Sequence, residues 1–310
     1  MSRVSLPVPD VSIPRTPSAI ARILTAEALE RLRDRRFRRV PTLRVRSERG
    51  ALAFVNSVGF CSTFYRFPDG VACLWEAVVG RPNPRWPRRS HHDAGIGLTW
   101  DLKDRLPAKK QVYYGKLLRG RPLLVALDLF PAFYALVRGR QRARDYRQEY
   151  ESGRLSFVAK RIMDAVIREH PQYTRELRAN SFMLEPSKTR EFERAMAELQ
   201  QGMWLVKTEE RYDPTFSYRW DLLEAWLPEA VATGRRLSRA AAVERILARY
   251  AAAAVFTREP LLARLFSLSA DEVSRAVERL INANVLVADR AVAGRPGRWL
   301  IHTSVLRERV

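Results

Sequence analysis

Hydrophobic positions along this chain fall repeatedly into the three-and-four spacing of amphipathic helices, interrupted by short apolar runs and proline-rich breaks. Residues 1–17 carry Pro7, Pro9, Pro14 and Pro17, which predicts an extended N-terminal arm. A helix is expected from an N-cap at Ser18, with Ile20, Ile23, Leu24, Ala28, Leu29 and Leu32 at helical spacing. It runs into the very basic segment RLRDRRFRRV, residues 31–40. Residues 52–58 predict a short buried helix broken at Gly59-Phe60-Cys61, and residues 71–79 a second apolar helix ending at Gly80. RPNPRWPRR, residues 81–89, reads as an ordered loop because of its prolines. LLVALDLF, residues 123–130, reads as a buried strand or a short helix, and residues 138–150 as a charged connector.

The second half repeats one pattern twice. Residues 155–169, 174–177 and 187–201 predict three helices, followed by paired strands at 204–206 and 218–220 around Asp213-Pro214. Residues 239–254 and 256–266 predict two more helices, and Ser269 caps a third, with Glu272 completing a capping box. Strands at 285–289 and 298–302 follow, joined by RAVAGRPG. Three helices and a two-stranded wing are the winged-helix form of helix-turn-helix, whose third helix reads the major groove. That helix would present Lys188, Arg190 and Arg194 in the first copy and Arg275 and Arg279 in the second, with Arg295 and Arg298 at the wing tip. Winged helices also serve as protein-interaction modules, so the pattern alone leaves both uses open.

Charge narrows the choice. The 310 residues carry a formal net charge of +21, with 55 Lys and Arg against 34 Asp and Glu. The balance is +16 over residues 1–150 and +5 over residues 151–310. A surface so basic points to a polyanionic partner, and arginine's planar fork suits phosphate. Duplex DNA is the expected partner, contacted by Arg35, Arg36, Arg38 and Arg39 and by Trp86 and Arg88 of the proline-rich loop. The run 122–137, the longest apolar stretch, contains Asp128 and Pro131, so no membrane span is expected. The first residues lack the unbroken apolar core of a signal peptide. A cytoplasmic protein, nucleoid-associated if prokaryotic, is the expectation. With 46% hydrophobic residues the chain is not wholly disordered, and two cysteines exclude a disulfide scaffold.

Candidate chemistry concentrates in residues 91–121. Asp101 and Asp104 flank Lys103 behind Trp100; such carboxylates could serve a water or a cationic sugar, or simply cap a helix and pair at the surface. Tyr113-Tyr114-Gly115-Lys116 could stack on a base and hold a phosphate, or be a strand of buried tyrosines. His91-His92-Asp93 lacks a partner cluster, so no metal is expected there, and contact of either histidine with DNA is the better reading. Cys61 and Cys73 have no CxxC spacing and read as small buried apolar groups. No phosphate-binding glycine-lysine loop occurs and no cofactor is expected.

The segment TWDLKDRLPAKKQVYYGKLLRGRP, with the winged-helix repeats and the basic first half, resembles the AlkZ/YcaQ-type DNA glycosylase superfamily, and within it the AlkZ-related branch. The resemblance covers most of residues 18–305 in element order and is most specific over 50–64 and 97–136. It implies a mainly α fold with small β wings (α+β), three tandem winged-helix units forming a basic DNA-binding cradle. The expected division is an arm at 1–17, a first unit with its basic insert and connector at 18–150, a second at 151–235 and a third at 236–310. Within these the three winged helices would span roughly 18–90, 155–222 and 239–303. The resemblance implies hydrolysis of the N-glycosidic bond of alkylated or crosslinked bases by a Gln-x-Gln or Gln-x-Asp pair. The matching positions here are Phe54 and Asn56, so that pair is not intact. Asn56 with Asp101 forms the expected residual centre, and Lys116 joins the phosphate contacts. A transcription regulator or non-catalytic lesion-recognition protein is the alternative.

Overall fold

The structure is a computed structural model that describes residues 24–68 and 70–308. The expected arm at 1–17 and the Ser18 cap lie outside the described residues. Helix α1 (Ala26–Arg36) starts instead at Thr25, whose hydroxyl accepts from the Ala28 N–H.

One element order then occurs three times. The first copy runs α2 (Glu48–Val58), β1 (Phe60–Ser62), β2 (Ala72–Cys73), α3 (Leu74–Val79), α4 (Ala94–Ala108), β3 (Val112–Leu118) and β4 (Arg121–Ala126). Helices α5 (Phe130–Val137) and α6 (Tyr146–Glu151) connect it to the second. That copy runs α7 (Phe157–Arg168), β5 (Gln172–Tyr173), α8 (Thr174–Asn180), α9 (Thr189–Gln201), β6 (Leu205–Arg211) and β7 (Ser217–Leu222). After α10 (Leu223–Trp226) and α11 (Pro228–Arg236), the third runs α12 (Arg239–Ala254), β8 (Phe256–Thr257), α13 (Glu259–Phe266), α14 (Ala270–Asn282), β9 (Leu286–Val292) and β10 (Arg295–His302). Helix α15 (Thr303–Arg307) follows.

The three sheets share a topology. In each, the last hairpin strand lies in the middle, flanked by the other hairpin strand and the short strand after the first helix: β1-β4-β3, β5-β7-β6 and β8-β10-β9. Only the first sheet adds a further strand, β2, paired parallel to β1. The result is a mixed α+β molecule with small, mainly antiparallel sheets.

In the first copy the elements differ from the sequence expectation. Residues 71–79 divide into β2 and α3, because sheet pairing with β1 claims Ala72 and Cys73. The hairpin of the first copy is β3–β4, beyond the expected 18–90 span, and α1 packs elsewhere. Leu24, Leu29 and Leu32 are buried against Val255, Phe256, Trp299 and Ile301 of the third copy.

A central core joins the first and third copies around α5. Phe60, Phe130, Phe133 and Tyr134 pack there with Val243, Ile246, Tyr250, Leu262 and Leu265. Gly234 of α11 allows the close approach, since a Cβ there would lie 2.9 Å from the Pro131 carbonyl oxygen. The second copy has its own core, built on Ile162, Met163, Leu177, Phe192, Leu199 and Trp204. Among the described residues no helix is long and apolar enough to cross a membrane.

Candidate functional site

The basic helix end divides by partner. Arg36 donates to the Ala252 carbonyl and pairs with Glu308, which fastens α1 to the third copy. Arg38 donates to the Gly50 carbonyl oxygen at 2.9 Å, and its guanidinium lies 5.7 Å from the Phe54 ring centre. Arg39 pairs with Asp34 at 2.7 Å and Glu76 at 3.4 Å. Arg35 is exposed, with no intramolecular partner among the described residues.

The repeats divide likewise. Arg279 pairs with Glu244, Arg295 with Glu30 at 3.0 Å, and Lys188 with Glu185 at 2.7 Å. Arg88, Arg190, Arg194, Arg275 and Arg298 are exposed and make no intramolecular ion pair among the described residues. Trp86 is 55% exposed while its ring packs against Phe64 and Trp75. His91 and His92 are exposed in a single turn of helix, and no group of three metal-ligating side chains occurs among the described residues.

Phe54 and Asn56 sit on opposite sides of α2. Phe54 is completely buried, whereas Asn56 is exposed in the last turn. One arginine organises this place. Arg249 of α12 donates to the Asn56 carbonyl oxygen at 2.7 Å and to Asp128 Oδ2 at 2.5 Å. Gly59 makes the approach possible: its φ is +81°, and a Cβ there would fall 2.3 Å from Arg249 Cγ. Arg249 thereby bridges the backbone carbonyl near the end of α2 and the exposed Asp128 carboxylate just beyond β4. Asp101 lies on α4 in an exposed pair with Arg105 at 3.8 Å. No bond, ion pair or shared cavity joins it to Asn56 among the described residues. Asp128 had one sequence signal, as the lone acid in an apolar run.

A cavity of about 620 Å³ opens between β3–β4 of the first copy and α9 with β6–β7 of the second. Trp100, Tyr114, Tyr218 and Trp220 contribute aromatic wall; Lys116, Gln200 and Glu193 contribute polar groups. Tyr114 and Lys116 both line this cavity, while Tyr113 turns into the core. Arg190 and Arg194 lie on another face of α9 from Thr189, Glu193 and Gln200, which line the cavity.

A buried charge cluster forms part of the cavity wall. Lys103 contacts Asp104 and lies 2.8 Å from Glu210, and Lys207 contacts the same Glu210 and stands 3.8 Å from Asp104. The Tyr212 hydroxyl donates to Glu210 at 2.9 Å and to Asp104 at 3.2 Å. Lys103 sits 4.5 Å from the Trp100 ring centre, and Lys207 lies 4.8 Å from Tyr114 and 5.0 Å from Tyr218. Burial, with the neighbouring Lys103 charge, pushes the Lys207 ammonium down to about 7. Burial likewise pushes the Tyr114 hydroxyl up to about 12. The sequence pointed at Asp104 and Lys103 but not at their partners, which arrive from β6.

A threefold helix-and-hairpin repeat, with a basic surface and an aromatic cavity between the first two copies, defines the class of this protein. The chain belongs to the AlkZ-related family, whose model matches residues 45–267. That span contains the segment 99–122 on which the sequence resemblance rested. The fold is similar to that of the Streptomyces sahachiroi DNA glycosylase AlkZ, with a TM-score of 0.55 and 13% sequence identity. The match covers 89% of this chain and 71% of that one. No curated protein sequence matches the chain.

Proposed function

We propose that this protein is a duplex-DNA-binding, glycosylase-like repair enzyme that hydrolyses the N-glycosidic bond of alkylated or crosslinked bases. In this reading each helix-and-hairpin copy is a winged-helix unit, and the three form a basic cradle. Family membership and a neighbour that is itself a DNA glycosylase support the reading. The observation that carries it is the Arg249 bridge, which ties the backbone carbonyl of the exposed residue Asn56 to the exposed Asp128 carboxylate.

An N7-alkylated purine is already a cationic leaving group, so bond breaking needs little acid. It needs a placed water and a negative charge facing the oxocarbenium-like sugar. The Asn56 amide oxygen accepts a hydrogen bond from the water and orients it. Asp128 faces the developing positive charge and takes the proton as the water oxygen bonds to C1′. The C1′–N bond breaks, and the base departs neutral with the electron pair. Arg249 holds Asp128 in place throughout. Asp128 thus takes the role first expected of Asp101.

The test is base release from duplex DNA carrying N7-methylguanine, read as alkali-labile strand breaks, and repeated on a crosslinked duplex. Wild type should release the base, Asn56→Ala should abolish release, and Asp128→Asn should slow it by about 10²–10³-fold. Tight binding with no release on either duplex would make the protein a binding module instead. Unchanged release by both variants would remove this site from the chemistry.

A further inference from the structure

The reaction proposed above uses nothing in the cavity between β3–β4 and α9. Pro122 lines that cavity, while Asp128 lies six residues further along and past the other end of β4. At about 3.3 Å per residue the two places are roughly 15–20 Å apart. The cavity nevertheless holds the most unusual chemistry in the molecule. Lys103, Lys207 and Glu210 of the charge cluster lie on its wall, with the Lys207 side chain 11% and the Glu210 side chain 4% exposed.

We propose that Lys207 is an imine-forming amine and that the cavity takes an aldehyde bearing a phosphate group. The two lysines are held unequally. Lys103 is in direct contact with both carboxylates, whereas Lys207 has close contact with Glu210 alone. Burial and a second ammonium beside it disfavour its own positive charge. With its pKa pushed down to about 7, Lys207 reaches the free amine far more readily than an exposed lysine. Glu210, fixed by Lys103 and Tyr212, is placed to accept the Lys207 proton and return it. Lys116 lines the cavity without an intramolecular partner among the described residues, and Arg121 lines it beside Tyr65. These two cations suit a phosphate.

The step balances without an oxidant or reductant. The Lys207 Nζ lone pair attacks the carbonyl carbon and forms the C–N bond, and the carbonyl oxygen takes a proton. The resulting carbinolamine loses that hydroxyl, with a further proton, as water. A protonated imine remains. Two sources share this chemistry: a free sugar phosphate, and the ring-opened deoxyribose of an abasic site in DNA. The second rests on the DNA reading above, and the first does not.

The experiment incubates the full chain at pH 7 in two arms, one with 2-deoxyribose 5-phosphate and one with a duplex containing an abasic site. Sodium borohydride then reduces any imine to a stable amine, and peptide mass mapping locates it among the seven lysines. Selective labelling of Lys207 is expected in at least one arm, and the labelled arm identifies the source. Asn56→Ala should label normally, so loss of base release and loss of imine formation are separable. Lys103→Met should slow labelling about tenfold at pH 7, with recovery at pH 9, because removing the neighbouring charge raises the Lys207 pKa. Absence of label at Lys207 in both arms would overturn the proposal. So would label spread evenly over the lysines and unchanged by Lys207→Met.

Discussion

Phe54 shows how far a single residue constrains the chemistry. The sequence resemblance leads one to expect a catalytic glutamine at this position, yet the Phe54 ring is wholly buried among Val55, Val58 and Leu106. Phe54→Gln would bury an amide in that core and remove the ring that fills it. A loss of about 3 kcal/mol is expected, read as a lower denaturant midpoint, with no gain in base release. Gly59→Ala tests the neighbouring arrangement differently. A methyl group at that positive φ would displace Arg249 from both Asn56 and Asp128. We expect base release to fall at least tenfold with a stability cost of about 1 kcal/mol. Normal release with a lowered midpoint would show that Arg249 acts on folding alone.

Each repeat is punctuated by the same device. The first helices of the three copies, α2, α7 and α12, begin at Ser47, Ser156 and Ser238, whose hydroxyls accept from the N–H three residues on. Ser156 does more than its counterparts. Its hydroxyl and its backbone N–H both donate to Glu198, joining the start of α7 to α9. Ser238→Ala should therefore cost about 1 kcal/mol and Ser156→Ala more, both measurable by denaturant unfolding. Equal costs would mean that the Glu198 link adds nothing. These three caps were not singled out in the sequence, whereas the α14 capping box at Ser269 and Glu272 was and forms as expected. The 123–130 run was ambiguous because an apolar stretch suits either element. Pairing with β1 and β3 makes residues 121–126 a strand, and Pro131 then suits the first turn of α5.

At the scale of the molecule, a charge of +21 is not +21 of available cation. Arg36, Arg39, Arg279 and Arg295 are tied to acids, and Arg36 and Arg295 serve chiefly to close α1 onto the third copy. If the cradle binds duplex DNA, the unpaired cations supply the counterion-releasing contacts. Replacing both Arg275 and Arg298 with Ala should weaken binding and flatten the slope of log K against log salt by about 2. Arg279→Ala should change the slope by less, because its guanidinium already pairs with Glu244. Anisotropy titrations over a range of salt concentrations decide the matter. An unchanged slope in the double variant would take the third copy out of the interface.

The sequence by itself determined what neighbours along the chain can enforce. Helical spacing, serine caps, turn glycines and the repeated helix-and-strand pattern act over a few residues, so they could be read before any fold was known. The family was legible for the same reason, since its segment is continuous. The tertiary structure alone decided which side chains meet. Arg249 reaches Asn56 across 193 positions and Asp128 across 121, and Lys103 reaches Glu210 across 107. Such meetings depend on how α12 crosses α2 and how the second copy's hairpin packs on the first. Packing of whole elements sets those geometries, and no local signal encodes them. Packing also separated the arginines that hold the fold together from those left exposed.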